Sequence, residues 1–587
     1  MRSDVQWIAR PAPPSDIVER LEKGLNLQPL TAYLLALRGI HDLQEADTFL
    51  SPSLRQLPDP TLLKGMNEAV DRIVQAIEQR EKIVVYGDYD VDGCTSTTTL
   101  MRFFREIGVP RSHLHFFIPK RLQHGYGLNR DCLPEVKGMG CDLMITVDCG
   151  ITSFEEVEIA RELGIDTIII DHHIVPEKSP RAVAVVNPKQ DDCPYPDKNL
   201  CAAGLAFNLV IALRTRLRKI GFFEKVPEPN LRRYLDIVAL GTVADIVPLK
   251  GVNRVFVSEG LKQLKQTVWE GMKALMKVAK VKPDEATSES LGFYLGPRIN
   301  AAGRMGDAAR SVKLLLSDDA HVAEQYAEEI NRDNHKRRDI QNTIYRDACA
   351  LIDQSPEMQE LPAIVLGHDT WHTGVVGIVA SKLVDRYHRP TVMIAVKDGV
   401  GKASCRSIGH FNLYTALKAC EEHLIQFGGH AAAAGLSMKP ENIPAFRAAL
   451  AEVVAEWRKE EEYIQTFEYD ALMPPEDVTP QLLEELSWLE PFGEANPAPV
   501  LIAHEVDIVR QKLVGADHRH IKFTAGLSEG IQMDAISFYK QEFFPLPQKT
   551  TFAYKPEWNE WNGRRSIQMK VQDFDLEPAQ QSLIPND

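Results

Sequence analysis

Three short apolar runs that end on acidic residues constrain this chain more than anything else in it. KIVVY (82–86) runs into Gly87-Asp88-Tyr89-Asp90-Val91-Asp92-Gly93, DLMITV (142–147) into Asp148-Cys149-Gly150, and DTIII (166–170) into Asp171-His172-His173. With HLHFFIP (113–119), they alternate with helical stretches such as Glu68–Arg80 and Glu155–Leu163. Continuous apolar runs of this length read as strands buried on both faces, hence a parallel sheet covered by helices. Ligand sites in such sheets form outside the carboxyl ends of the strands. If these strands are neighbours, Asp88, Asp90, Asp92, Asp148, Asp171, His172 and His173 converge.

Convergence of so many carboxylates is costly unless a cation supplies counter-charge. Oxygen donors with imidazole suit Mn²⁺ or Mg²⁺ better than a thiophilic ion. Two such ions about 3.5–4 Å apart would clamp a phosphate and activate a bridging water. Each piece has a plainer reading. D-x-D-x-D-G also opens a calcium loop, but the position that needs a bidentate Glu is occupied by Thr99. A lone strand-end Asp can cap a helix, and Asp-His-His can be a buried polar turn. Three acidic strand ends together favour the metal. Asp245, inside the apolar DIVALGTVADIVPL, either caps a helix or reaches that metal; beside the other clusters it reads as a ligand.

Composition narrows the class further. A net charge of −15 argues against binding duplex DNA through bulk charge, but leaves room for a local basic groove. Nine cysteines without a C-x-x-C pair argue against a zinc ribbon and fit a reducing cytosol. The first residues lack a signal-peptide core, and no apolar run approaches the roughly 20 residues of a membrane span. A cytoplasmic protein without a membrane partner is expected.

The pattern divides the chain into a helical annex (1–64), a parallel-sheet domain (65–317), a connecting helix (318–354), a second α/β domain (355–462), a β-barrel or sandwich (463–577) and a polar tail (578–587). In the annex, Asp16-x-x-Glu19 and Asp42-x-x-Glu45 read as capping boxes. The connecting helix carries NRDNHKRRD, which is either a solvated face or DNA-facing.

The second half offers candidate phosphate contacts. Gly428-Gly429-His430 sits in a run of small residues that permits close backbone approach, and His430 can donate to a scissile phosphate. Ser404, Arg406 and Ser407 suit a terminal-phosphate pocket. Arg298 and Arg304 flank Asn300 in what reads as a glycine-rich turn and would hold DNA phosphates. Trp371 and His372 open a turn where an aromatic ring can stack on a base, with core packing an equal competitor for Trp371. In the barrel, Lys522, Phe523, Tyr554, Lys555, Trp558 and Trp561 interleave aromatic and basic side chains, as single-strand binders and ordinary β-surfaces both do.

The acidic motifs resemble those of the DHH phosphoesterase superfamily. Asp90-x-Asp92 matches its first motif, Asp148 its second, Asp171-His172-His173 its third and Asp245 its fourth. The resemblance implies two divalent ions, manganese preferred and magnesium possible. Their ligands would be Asp90, Asp92, Asp148, His172 and Asp245, with Asp148 bridging; Asp88 is a further candidate. Asp171 and His173 would orient His172, and His173 joins the catalytic set. Over most of its length the chain is similar to the superfamily's bacterial single-strand-specific DNA exonucleases. The shared segments include YGDYDVDG, RLQHGYGL (121–128), GTVADIVPL, GPRINAAGRMG (296–306), WHTGVVGIVAS (371–381), GKASCRS (401–407), FGGHAAAAG (427–435) and LEPFGEANPAPVL (489–501). It departs at His124, where related segments carry an acidic residue.

That resemblance implies an α/β multidomain fold. A parallel-sheet DHH catalytic domain would be joined by a long helix to a second α/β DHH-associated domain, followed by a C-terminal OB-like β-barrel. The implied activity is metal-dependent 5′→3′ exonucleolytic hydrolysis of single-stranded DNA to 5′-mononucleotides, in DNA recombination and repair. The expected partners are single-stranded DNA, a RecQ-type helicase and a single-strand-binding protein, with the chain acting as a monomer. One alternative is a DHH phosphodiesterase for short oligonucleotides or cyclic dinucleotides, although such proteins lack the annex and barrel. The other is a non-catalytic DNA-binding scaffold, which the full ligand set disfavours.

Overall fold

The computed structural model describes residues 5–460, 465–561 and 563–576. The chain divides into two compact units: Leu57–Val247 with Val252–Tyr463, and Met1–Gln56 with Pro248–Gly251 and Ile464–Asp587.

The larger unit begins with an all-parallel five-stranded sheet in the order Leu114–Phe117, Ile83–Gly87, Leu143–Val147, Asp166–Ile170, Ala184–Val186. The two central strands, Ile83–Gly87 and Leu143–Val147, are buried at every residue, as their unbroken apolar runs require. Helix Val91–Glu106 is buried along nearly its whole length although it carries Thr-Ser-Thr-Thr-Thr. Hydroxyls of Thr95, Ser96, Thr98 and Thr99 donate to carbonyls four residues back at 2.6–2.8 Å, so the helix satisfies these four itself, while Thr97 Oγ1 is buried without a partner.

GPRINAAGRMG forms a helix, Gly296–Met305, and not the glycine-rich turn expected. Its Gly303 is small for packing: a Cβ there would lie 2.8 Å from the Tyr89 carbonyl oxygen. The connecting helix runs Ala320–Asp353, with the Asp319 carboxylate accepting from the Val322 N–H. It is amphipathic, and one face buries Ala323, Ala327, Ile330, Asn334, Arg337 and Ile344. The second domain holds a five-stranded sheet ordered Gln426–Gly429, Ala433–Met438, Val400–Arg406, Thr391–Lys397, Ile364–His368. Only its last pair is parallel.

In the smaller unit the N-terminal annex shares one core with the C-terminal barrel. Leu21, Leu34 and Leu35 belong to the same apolar cluster as Leu482, Phe523 and Phe552. Strand Gln6–Ala9 pairs in parallel with Thr466–Tyr469, and Arg38 donates to Asn496 Oδ1 (2.8 Å) and the Pro497 carbonyl (2.9 Å). Asp42 caps its helix as expected, accepting from Gln44 and Glu45 N–H, but Asp16 does not: Pro14 occupies the cap and Asp16 lies in the first turn. The barrel strands Leu501–Val514, His520–Gly526, Gln532–Ser537, Arg564–Phe574 and Lys549–Trp561 pair in that order, and the last pairs back to the first. This is the closed five-stranded topology of an OB fold.

Candidate metal centre and phosphate groove

Sheet register brings the acidic side chains together. Gly87 pairs with Val147, and Val147 with Ile170, so the strands end at one level. The ladder continues one step: Asp88 N–H donates to Val147 O, Asp148 to Ile170 O and Asp171 to Val186 O. Asp90 caps helix Val91–Glu106, accepting from Gly93 N–H at 3.1 Å. Gly93 is obligatory, because a Cβ there would stand 2.4 Å from the Asp88 carbonyl oxygen. Asp92, buried in the first turn, accepts from Ala202 and Ala203 N–H (2.7 and 2.8 Å) at the start of helix Ala202–Lys219. Asp245 is the C-terminal cap of helix Leu235–Ala244. That helix approaches so closely that a Cβ on Gly241 would lie 3.1 Å from Asp92 Oδ1.

His172 sits at the centre of the cluster. Its Nε2 is 3.2 Å from Asp148 Oδ1, 3.6 Å from Asp245 Oδ2 and 3.8 Å from Asp92 Oδ2. Among the described residues, three groups have donor atoms close enough to share an ion: Asp92, His172 and Asp245; Asp88, Asp90 and Asp148; and Asp148, His172 and His173. Asp171 belongs to none of them. Its carboxylate accepts from the backbone N–H of Ile151, His172 and His173 and from His173 Nδ1 at 2.7 Å, so it orients the His173 ring and holds the backbone of both histidines. Tyr126, between two positive-φ glycines, brings its hydroxyl within 3.1 Å of both the Asp148 carbonyl oxygen and His173 Nε2.

The electrostatics show why the cluster wants a cation. Burial, then Asp90, hold the Asp88 carboxyl well above its ordinary range. Burial and the neighbouring carboxylates do the same to Asp148, push Asp92 up to about 7 and push Asp245 up to about 9. Burial, reinforced by His173, pulls His172 down to about 3. Burial also pulls His173 down, but its bond to Asp171 outweighs this and the ring is raised. Both Asp88 oxygens and Asp245 Oδ2 are buried without a hydrogen-bond donor. Orphaned carboxylate oxygens beside a neutral imidazole fit a hard divalent cation.

A cluster of arginines adjoins this centre. Arg121 stacks over the Tyr89 ring at 4.8 Å, and Arg304 donates to the Gly374 carbonyl at 3.1 Å. Burial, with Arg121 and Arg337, lowers Arg304 to about 10, and burial with Arg121 lowers Arg406. Ser404 and Arg406 face the first turn of helix Val376–Tyr387: a Cβ on Gly377 would be 3.1 Å from Ser404 Oγ and 3.4 Å from Arg406 Nη2. Arginines that burden one another in this way are built for an anion.

The remaining candidates differ in what their side chains do. Arg298 is buried, and each of its three nitrogens donates within the protein, to Asn331 Oδ1, the Tyr294 carbonyl and the Val278 carbonyl. Trp371 is a core residue, stacked on His368. The Ser407 hydroxyl donates to the Phe411 carbonyl. His372 Nδ1 accepts from Gly374 N–H within its turn, and Asn300 is half-buried on its helix. Gly428, Gly429 and His430 are exposed around a hairpin tip, where His430 N–H donates to Ala433 O. Gly429, at φ +140, would place a Cβ 2.5 Å from Ala434 Cα. His124 Nδ1 accepts from Lys120 N–H and holds its own loop.

In the barrel, Phe523 and Tyr554 point into the core, because inward and outward positions alternate along each strand. Lys522 pairs with Asp534 at 3.2 Å, and Trp558 stacks under the Arg565 guanidinium at 4.1 Å. The Lys555 backbone pairs with Lys570, and the side chain of Trp561 lies outside the described residues. Arg121 and Tyr126 went unassigned in the sequence; the only signal was their place in RLQHGYGL.

Comparison with known proteins agrees with this geometry. Residues 82–242 match the family model "DHH family, N-terminal domain", 360–456 the DHHA1 domain and 469–573 the RecJ OB domain. The single-stranded-DNA-specific exonuclease RecJ of Bacillus subtilis (strain 168) is 38% identical, over 98% of this chain and 71% of its own length. The crystal structure of RecJ from Thermus thermophilus in complex with Mn²⁺ superposes with a TM-score of 0.83 at 32% identity, covering 99% of this chain and 81% of that one. Its Mg²⁺ complex gives a TM-score of 0.77 at 30% identity, covering 99% and 80%.

Proposed function

This chain belongs to the RecJ family of single-stranded-DNA-specific exonucleases, and on that premise we propose that it degrades single-stranded DNA from the 5′ end, releasing 5′-mononucleotides. It does so with two divalent ions, manganese by preference. The work belongs to DNA recombination and repair in the cytoplasm, beside a RecQ-type helicase and a single-strand-binding protein, with the chain acting as a monomer.

The observation that carries this reading is the juxtaposition of two opposite sites. A carboxylate–imidazole cluster with orphaned oxygens adjoins arginines whose charges burden one another. The arginines, with Ser404, would hold a terminal phosphate, which a 5′-phosphorylated strand end presents. The next phosphate would then lie over the carboxylates. Asp90, Asp92, Asp148, His172 and Asp245 would hold the metal, with Asp88 as a further ligand. When bound, the ions supply charge neutralisation at the phosphate and an activated water. Asp171 keeps the His173 imidazole in orientation, and Tyr126 fixes the edge of that ring. The exposed hairpin tip leaves the His430 ring available to donate to the phosphate oxygens.

The test is a single-stranded 30-mer labelled at one end or the other, incubated with manganese and the full chain. Labelled mononucleotide released at once from the 5′-labelled strand, with progressive shortening of the 3′-labelled one, is expected. The reverse pattern would overturn the polarity. Turnover of dinucleotides alone would move the substrate to short oligonucleotides.

A further inference from the structure

Two large aliphatic side chains stand in solvent beside the metal centre. Ile174 follows His173 directly and is 68% exposed; Ile246 follows Asp245 directly and is 70% exposed. His172 Nε2 and Asp245 Oδ2 are 3.6 Å apart, so the two loops that carry the isoleucines meet at the His172–Asp245 side of the cluster.

Ile246 is also held in a costly conformation. It is the first residue past the cap of helix Leu235–Ala244, its N–H donates to the Val243 carbonyl, and its φ is +59°. That position favours glycine or asparagine. For a β-branched residue it is a genuine outlier and is unfavourable. Such strain persists where the side chain has a use, and it clusters at ligand-contacting positions.

The geometry of the cluster gives a direction. Arg121 stacks over the Tyr89 ring, and Gly303, next to Arg304, packs on the Tyr89 carbonyl, beside the Asp88–Asp90–Asp148 group. Ile174 and Ile246 instead follow His173 and Asp245, which group with His172, and Lys189 belongs to the same side. Its loop is fixed by the fully buried Asn187, whose Oδ1 accepts from Lys189 N–H and whose Nδ2 donates to the His173 carbonyl, both at 2.9 Å. A strand with its terminal phosphate among the arginines and its next phosphate over the carboxylates would leave on the opposite side, past His172 and Asp245, where the two isoleucines and Lys189 stand.

We propose that Ile174 and Ile246 form an apolar wedge that inserts between the bases just 3′ of the scissile phosphate and holds the strand unstacked. This rests on the exonuclease reading above and adds the element that senses base stacking. Isoleucine and similar side chains serve as wedges between base steps in other nucleic-acid complexes. A single strand yields to such a wedge by unstacking alone, whereas a duplex must also break its pairs.

The test compares two 5′-phosphorylated strands, dA30 and dT30, with the full chain and manganese, since adenines stack strongly and thymines weakly. The variants are Ile174→Ser and Ile246→Asn; asparagine tolerates the left-handed backbone. The unmodified protein degrades both strands. Each variant is expected to lose about tenfold more rate on dA30 than on dT30, as a lost unstacking contribution of one step requires. Equal losses on both strands, or no loss, would overturn the wedge. Failure of the unmodified protein to degrade either strand would overturn the exonuclease reading and the wedge with it. A urea midpoint for Ile246→Asn at or above the parent's confirms its fold; if it falls, Ile174→Ser carries the comparison alone.

Discussion

Replacing Asp245 by Asn should stabilise the metal-free protein while weakening its response to metal. The Asp245 carboxyl is held at about 9 by burial, then by Asp92 and Asp90, against about 3.9 in an unfolded chain. The folded state thus keeps a proton that the unfolded state releases. For an acid shifted upward the contribution is destabilising. It is absent below pH 4, grows as pH rises from 4 and levels off near 9. At pH 8 the gap of about four pH units amounts to about 5 kcal/mol, at 1.36 kcal/mol per unit. Asparagine has the same shape and no proton to lose. In urea unfolding with a chelator present, Asp245→Asn should therefore resist more denaturant than the parent at pH 8, with the difference closing toward pH 4.5. Added manganese should reverse the order, because the parent regains a charged ligand and the variant does not. A metal-free variant no more stable than the parent at pH 8, or a difference independent of pH, would refute the account of Asp245 as a carboxylate held for a cation.

Other outcomes follow from the same geometry. Asp90→Ala should abolish cleavage, by more than a hundredfold, while single-stranded DNA binding measured by fluorescence anisotropy changes little. Arg406→Ala should erase the preference for a 5′-phosphate over a 5′-hydroxyl end, read as the ratio of initial rates, and an unchanged ratio would remove it from the phosphate pocket. Arg298→Ala should cost about 1–3 kcal/mol in urea unfolding, because it strands neutral hydrogen-bond acceptors, yet leave that ratio alone. Tyr126→Phe should slow cleavage severalfold without moving the urea midpoint of the metal-bound protein; a rate equal to the parent's would mean that its hydroxyl does not matter to the centre.

The parallel sheet and its acidic edge were legible because burial on both faces forces unbroken apolar runs, and the chemistry must then begin where each run stops. Asp245 was legible for a related reason: an acid inside DIVALGTVADIVPL needs a partner. Arg298 misled because a cation in a glycine-flanked segment looks accessible, whereas the segment is helical and its turns supply acceptors for the guanidinium. Phe523 and Tyr554 were read by composition when their alternation already placed them inward: in HIKFTAG, Ile521, Phe523 and Ala525 are fully buried. The union of the annex with the barrel has no local signature. Leu34 and Phe552 meet across more than five hundred residues of sequence, and no periodicity announces a partner that distant.

All nine cysteines are free and buried, and every one of them falls in the larger unit. Burial raises the thiols of Cys94, Cys141, Cys149, Cys201 and Cys405, so they offer little thiolate while that unit stays folded. The chain therefore carries its own reporter. Alkylation by a small maleimide would record only the opening of the half that holds the metal centre, while the barrel and its helices could unfold without adding any mass. Intrinsic tryptophan fluorescence, with Trp7, Trp488, Trp558 and Trp561 in the smaller unit and Trp269, Trp371 and Trp457 in the larger, reports on both, so a fluorescence change without alkylation marks the opening that the thiols do not register.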